Sequence, residues 1–363
     1  MSRPATPLGR TPFCLNLNAD SYPRAHPANT HPAPHVVLKI LVTGASGFLG
    51  ATLTHRLLDT GANVRILRRE TSRLDLLGDA ADRVEHVVGD VSLPETLGPA
   101  LEGIDQVFHT AAYIGFSGRR DLRQLQRVNV EGTAHIVNAA LHAGVKRLVH
   151  TSSMAAFGRP ESSDTVIDET AIWQASRLNT PYAVSKYLSE LEVYRGIAEG
   201  LDAVIVNPAL IFGAGRPGEN TLQIVEKVRQ EKLPAVPSGG TNVVDVRDVA
   251  TGHLLAMSLG LTGERYFLGG ENLSWRAIIE TLATAFGAQP PRFTLSPRAA
   301  SLLATLSEAA AFVTRTRPLL TRDTARASAR FHRYSNSKAR EAFGLRFRPF
   351  KETAADLAET LAG

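Results

Sequence analysis

The sequence predicts an α/β fold: a doubly wound parallel sheet with helices on both faces, followed by a smaller C-terminal α/β domain. Three observations carry that prediction. From residue 36 onward, short β-branched runs alternate with helical stretches, the pattern of repeated βαβ units. The first run passes directly into Thr43-Gly44-Ala45-Ser46-Gly47-Phe48-Leu49-Gly50, a glycine turn that opens a helix. At 363 residues the chain exceeds one ordinary compact domain, so a large α/β domain with a smaller partner is expected rather than several independent modules.

Residues 1–35 stand apart. They carry Pro4, Pro7, Pro12, Pro23, Pro27, Pro32 and Pro34 with no apolar periodicity, and such a composition is read as a disordered tail. A start site placed too far upstream accounts for it equally well. Strands are expected at 36–43, 64–67, 84–88, 106–109, 147–151 and 203–207, and helices at 48–60, 93–101, 122–143 and 181–199. Right-handed crossovers would wind these into a Rossmann-type sheet. After residue 213 the regularity weakens and glycine and proline clusters separate shorter elements. The expected organisation is a nucleotide-binding domain over 36–212, with 241–262 returning to it, and a substrate-binding domain formed mainly by 213–240 and 263–363.

Composition narrows the function. With 44% hydrophobic and 21% charged residues the chain is of ordinary globular type. The apolar stretch 299–313 is interrupted by Ser301, Ser307 and Glu308, so a transmembrane segment is not expected. The net charge of +5 is dispersed, which argues against nucleic acid. One dense basic group, Arg65, Arg68, Arg69 and Arg73, falls where a dinucleotide phosphate would lie. Cys14 is the only cysteine, which excludes an intrachain disulfide and fits a reducing cytoplasm. None of the eleven histidines has a recognised ligand spacing, so no metal is expected.

The glycine turn has the context a dinucleotide site requires, between a strand and a helix. Gly44 permits the turn, Gly47 lets backbone amides approach a pyrophosphate, and Gly50 allows the helix to pack on the strand. The start of that helix, Ser46 to Leu49, then offers amides and a partial positive charge to phosphate. At the end of the second strand an acidic residue would take the ribose hydroxyls, whereas arginine would accept a 2′-phosphate. Here Arg68 and Arg69 occupy that point with no carboxylate before Glu70, so NADP is favoured, with NAD as the alternative. Asp90 and Val91 end the third strand where an adenine edge would be met. Thr110, Ala111 and Ala112 end the fourth, their small side chains leaving room for a cofactor.

Tyr182-Ala183-Val184-Ser185-Lys186 begins a helix, and the spacing of four puts Tyr182 and Lys186 on one face. A phenol of pKa about 10 is a weak base near neutrality, and a neighbouring ammonium would favour the phenolate. Some thirty residues earlier Thr151-Ser152-Ser153 closes a strand at the same edge of the sheet, where a hydroxyl could bind a substrate oxygen. The hydrophobic side chains Tyr113, Phe116 and Trp173 are candidates to line the substrate pocket together with Ser153.

The ordered set Thr43–Gly50, Asp90, Val128-Asn129-Val130-Glu131-Gly132-Thr133, Thr151–Ser153, Tyr182–Lys186 and Asn207-Pro208-Ala209 resembles the extended short-chain dehydrogenase/reductases of the NAD-dependent epimerase/dehydratase group, from residue 36 to the C-terminus. Within it the chain is most similar to dihydroflavonol-4-reductase-like proteins and the hopanoid-associated sugar epimerase branch, through 242–250 and 263–272. The run Val244-Asp245-Val246-Arg247-Asp248 departs from the Val-His-Val-Asp-Asp of many relatives. The resemblance implies that Ser153, in Ser153-Met154-Ala155-Ala156-Phe157-Gly158, is the catalytic serine and Ser152 a positioning neighbour. It also implies that Asn129 acts near the active site, that Pro208 and Ala209 lie beside the nicotinamide, and that a homodimer forms through helices 122–143 and 181–199. The expected activity is hydride transfer between NADP(H) and a carbonyl or secondary alcohol through Ser153, Tyr182 and Lys186. Alternatives are a nucleotide-sugar epimerase or dehydratase with transiently reduced cofactor and, from another class, an inactive dinucleotide-sensing protein. The substrate is a small carbonyl compound or a sugar.

Overall fold

In the structure, a computed structural model, residues 38–115, 118–158, 165–176, 178–314, 325 and 328–362 are described, and the expected tail at 1–35 lies outside them. Each strand of the main sheet is a short apolar run whose neighbours point to opposite faces. The strands are Lys39–Thr43 (β1), Asn63–Arg68 (β2), Glu85–Val88 (β3), Gln106–His109 (β4) and Arg147–Thr151 (β5); after the short Val166–Ile167 (β6) follow Ala203–Pro208 (β7) and, later in the chain, Arg265–Leu268, which completes the sheet. Ile40, Val42, Phe108, Val149, Val204 and Val206 enter the core on one face, while Leu41, Val107, Leu148, Ala203 and Ile205 enter the core on the other. A sheet buried on both faces in this way must be covered by helices on both sides.

Those helices come from the connections. Phe48–Asp59 (α1) packs beside a later helix, Val246–Leu259, on the first face. Leu97–Leu101 (α2), Gly132–Ala143 and Pro181–Ala198 cover the second through Leu97, Ile136, Val137, Ala140 and Val193. The strands are all parallel, in the order Arg265–Leu268, β7, β5, β4, β1, β2, β3. The order reverses between β1 and β4, and the crevice at the carboxyl ends of those two strands is where open α/β sheets bind ligands.

Two local features differ from the sequence expectation. The helix expected over 122–143 is three pieces: Gly118–Gln124 (α3), a π-helical stretch Leu125–Glu131, and Gly132–Ala143 (α4). The apolar period runs through all three, but the wide turn carries Asn129 inward, where its side chain is tied to distant backbone. The seventh strand, Arg265–Leu268, comes from beyond the 241–262 segment that the sequence reading returned to this domain.

Pro181–Ala198 is α5, capped by Thr180, whose Oγ1 accepts from Ala183 N at 3.2 Å, with Pro181 in the first turn. Past Ala209 the chain leaves the main sheet as Leu210–Phe212 (β8) and then forms Leu222–Arg229 (α6) and the short Val236–Pro237 (β9). Gly240–Asp245 (β10) pairs parallel with β8 and antiparallel with Glu271–Ser274, making a second, three-stranded sheet. Val246–Leu259 (α7) and Trp275–Phe286 (α8) follow β10 and that antiparallel strand. A separate apolar core forms here from Phe212, Val225, Val243, Ile278, Leu282 and Phe350.

Candidate active site

The β1–α1 turn is built by backbone approach. Gly44 has φ of +74°, and a Cβ there would stand 2.6 Å from Ala111 N. A Cβ on Gly50 would stand 2.2 Å from the Gly44 carbonyl oxygen, so α1 can lie against the turn only with glycine at that point. Gly47 is the N-cap of α1, and among the described residues no side chain caps it. Its first amides are left for a ligand, the arrangement that binds phosphate. Leu49 packs against the core, and the Phe48 ring lies near Gly213 and Gly215.

A cleft of about 700 Å³ opens above, lined by Gly44, Ser46 and Gly47 from the turn and by Thr110, Ala111 and Ala112 from the end of β4. Thr110 is fixed by its Oγ1, which donates to the Thr43 carbonyl at 2.7 Å. Asp90 and Val91 line the floor beyond β3; Asp90 Oδ1 accepts from the amide and the hydroxyl of Ser92 at 2.9 and 2.8 Å. At the far end stand Arg68, Arg69, Thr71, Ser72 and Arg73. Arg68 Nε donates to His86 Nδ1 at 3.0 Å, and Ser72 Oγ accepts from Arg69 N at 3.0 Å. This cradle fits a dinucleotide: a helix start with free amides beside Gly44 and Gly50, where a Cβ would strike backbone, and arginines and hydroxyls at the other end.

Arg65 does not join this group. It faces the opposite way from its neighbours on β2, is buried, and donates from Nη1 to the carbonyls of Pro99, Ala100 and Glu102 while Nη2 pairs with Glu85 at 2.7 Å. Alternation along a strand sends it to the α2 end and Arg68 to the cleft.

Tyr182 in the first turn of α5 meets Ser153 at the end of β5. The Ser153 hydroxyl is near enough to favour the ionised phenol, and its Oγ accepts from Ala155 N at 3.2 Å, capping the turn Met154–Phe157. Burial lifts the Tyr182 pKa above its ordinary value and the nearby Ser153 hydroxyl opposes this only in part. The phenolate expected from a neighbouring ammonium is therefore not favoured in the free protein. Lys186, fully enclosed, instead donates from Nζ to the Thr151 carbonyl at 2.7 Å. Burial lowers its pKa to about 8, with the Glu190 charge acting in the other direction.

Asn129 sits behind these groups. Its Nδ2 donates to Ser185 Oγ at 3.0 Å and to the Tyr113 carbonyl at 3.0 Å, and its Oδ1 accepts from Tyr113 N at 2.7 Å, so it holds α5 to the segment after β4. Pro208 ends β7, and Ala209 N donates to the Leu268 carbonyl at 3.0 Å. Tyr113 lines the cleft, its hydroxyl donating to Asp121 Oδ1 at 2.7 Å. Trp173 stacks on Tyr187, with ring centroids 4.4 Å apart and 7° between planes. Phe116 lies outside the described residues.

A buried network, absent from the sequence expectations above, surrounds Glu190, one turn past Lys186. Its carboxylate accepts from Ser152 Oγ at 2.5 Å and from Asn207 Nδ2 at 2.6 Å, and Arg265 stands 3.5 Å away. Asn207 Nδ2 also donates to the Ser153 carbonyl at 3.0 Å, so the network joins β5, β7 and α5 and reaches the backbone of Ser153. The available signal was spacing: Tyr182, Lys186 and Glu190 recur every four residues. Three enclosed histidines lie in the same region, His109 and His150 feeling the Lys186 charge and His253 bonded to the Thr151 hydroxyl, and burial favours the neutral form of each. Among the described residues no group of three or more acidic, histidine or cysteine side chains is placed to hold a metal, and no helix is long and apolar enough to cross a membrane.

The profile of the NAD dependent epimerase/dehydratase family matches residues 40–269. A Synechocystis sp. protein carrying the provisional name dihydroflavonol 4-reductase is 36% identical over 321 residues, covering 87% of this chain and 92% of the relative. Sterol demethylase protein B of Methylococcus capsulatus is 36% identical over 273 residues, covering 74% and 80%. Among solved structures, that of gox2253 superposes with a TM-score of 0.77 at 34% identity, covering 90% of this chain and 99% of the other. A glycine cradle at the switch point of a seven-stranded parallel sheet, and a family match spanning most of the chain, lead to one conclusion: the protein is an enzyme of the NAD dependent epimerase/dehydratase family, within the extended short-chain dehydrogenase/reductases.

Proposed function

We propose that this enzyme transfers a hydride reversibly between NADP(H) and a carbonyl or secondary alcohol carbon, using Ser153, Tyr182 and Lys186. The observation that carries the reading is the placement of Tyr182, in the first turn of α5, near the Ser153 hydroxyl at the carboxyl edge of the sheet, with the enclosed Lys186 one turn on and tied to the Thr151 carbonyl. Tyr182, protonated in the free protein, gives its proton to the substrate oxygen in the reductive direction, and Ser153 orients that oxygen. Lys186 carries the positive charge that stabilises the phenolate left behind, and it reaches the nicotinamide ribose. When bound, the nicotinamide supplies or accepts the hydride. Asn129 positions α5, and Pro208 and Ala209 border the nicotinamide. Arg68 and Arg69 favour a 2′-phosphate, hence NADP over NAD. Tyr113, Phe116 and Trp173 belong to the substrate side of the site, and 213–240 with 263–363 mainly form the substrate-binding domain.

A second reading, epimerisation or dehydration of a nucleotide sugar, is favoured by the family match and would use the same three side chains. The provisional reductase name of the Synechocystis relative supports hydride transfer to an external carbonyl. A homodimer through the helical segments 122–143 and 181–199 is part of the proposal, and the exposed Val184 and Leu191 on α5 support it. The deciding experiment is a screen of ketones, aldehydes and nucleotide sugars that follows reduced-cofactor absorbance and product stereochemistry. Net consumption of NADPH supports the first reading; a changed sugar with no net cofactor change replaces it with the second.

A further inference from the structure

Arg216 lies in the loop between β8 and α6, far in sequence from the glycine turn, yet it lines the same cleft with a side chain only 9% exposed. Its guanidinium holds three segments together. Nε donates to both carboxylate oxygens of Asp75 at 2.9 Å and Nη2 donates to Asp75 Oδ1 at 2.8 Å, a forked pair. Nη2 also donates to the Ser46 carbonyl at 2.8 Å and to the Arg73 carbonyl at 2.9 Å. Ser46 belongs to the glycine turn, and Arg73 and Asp75 to the segment after β2, so the loop ties the phosphate end of the cleft to the ribose end. The loop has a firm seat. A Cβ on Gly213 would stand 3.1 Å from the Phe48 ring and 2.5 Å from Val246, and one on Gly215 would stand 3.2 Å from the ring.

Asp75 neutralises the guanidinium and is itself held below the usual carboxylate range by it. Glu219 adds a second negative charge 3.8 Å from Arg216. An arginine so compensated is a poor anion ligand, but its fork is directional and geometrically demanding. We infer that Arg216 retains the cofactor: its fork on Asp75, with the Ser46 and Arg73 carbonyls, bolts the loop across the adenosine end of the cleft and sets how slowly a bound dinucleotide leaves. The inference rests on the reading of this cleft as the dinucleotide site. It separates Arg216 from Arg68 and Arg69, whose proposed partner is the 2′-phosphate, because a bolt acts on NADPH and NADH alike.

The test is the release rate of NADPH and of NADH from the full-length protein, followed by cofactor fluorescence after mixing with excess oxidised cofactor. Arg216→Ala should speed release of both by about fivefold to tenfold, since lost contacts of this kind act mainly on dissociation. Arg216→Lys, which keeps the charge but loses the fork, should act in the same direction, and Asp75→Asn should break the bolt from its other side. The double variant Asp75→Asn, Arg216→Ala should release no faster than Arg216→Ala alone. Should Arg216→Ala fail to fold, Asp75→Asn carries the test. Release within twofold of wild type in every single variant that folds overturns the inference while leaving the cofactor reading intact. Acceleration confined to NADPH overturns it too, making Arg216 a phosphate ligand. Failure of the wild type to bind either dinucleotide removes the cofactor reading and the inference with it.

Discussion

Glu190 lies one helical turn past Lys186 on α5, and both side chains are enclosed. Burial brings Lys186 down to about 8 from an ordinary 10.5, and the Glu190 charge opposes that fall. The proposed chemistry needs the ammonium, which is present below this pKa and lost above it. On a confirmed substrate kcat/KM should therefore decline as pH rises through about 8. In Glu190→Gln the alkaline limb should move to lower pH, because the charge that sustains the ammonium is gone. A limb that stays in place in that variant would separate the two residues.

Tyr182→Phe removes one hydroxyl and keeps the ring. Turnover should fall on the order of a hundredfold or more, the range acid–base catalysis contributes, with cofactor affinity nearly unchanged. Lys186→Ala should weaken both, and Ser153→Ala should fall between the two in turnover. Steady-state kinetics beside cofactor titration measures this, and near-normal turnover in Tyr182→Phe sinks the mechanism.

NADP(H) should bind more tightly than NAD(H), and the double variant Arg68→Ala, Arg69→Ala should erase the difference by weakening NADP(H) alone. Calorimetric titration with each cofactor decides it. Equal wild-type affinities would be the contrary result.

Acid should unfold the protein early. His109 is held at about 3 and His253 at about 4, with His150 well below its ordinary value, because burial disfavours their charged forms. Their folded pKa values are depressed, so the unfolded chain takes up protons first as pH falls below about 6.5. Each histidine then costs about 1.4 kcal/mol of stability per pH unit until its folded pKa is reached. The urea midpoint should drop steeply between pH 6.5 and 5; a flat profile there would contradict the assignment of these rings as neutral and buried.

Gly50→Ala puts a methyl group against the Gly44 carbonyl, which backbone cannot easily yield. The expected loss is about 2–3 kcal/mol of stability, the scale of overpacking, together with weakened cofactor binding because the turn itself must shift. Thermal melting with and without NADPH reports both. An unchanged melting temperature would mean that α1 is free to move away from the turn.

Much of the sheet was legible because its strands are short buried runs rich in β-branched residues: 106–109 and 147–151 match Gln106–His109 and Arg147–Thr151, and the other four differ by a few residues at their ends. Arg265–Leu268 was not separated from the C-terminal part because nothing local distinguishes it; its place is set by pairing with β7, some sixty residues earlier. The π-helical turn at Leu125–Glu131 was invisible for the same reason, since the bonds that demand it run from Asn129 to Tyr113 and Ser185. In the site, glycine spacing and the Tyr182–Lys186 interval are local patterns. Arg216 shows no such pattern, being joined to partners 141 and 170 residues away.

Ala209 is the only residue between β7 and β8, and it is buried with its amide committed to Leu268. One strand ends in the large sheet and the next begins the small one, with no slack between them. A hinge needs a few residues whose dihedral angles can absorb a rotation, and this junction offers none. The two sheets are therefore mechanically coupled, and a pull on the small sheet is felt at Pro208. Access for substrate must come from side chains and the longer loops rather than from one body swinging away from the other.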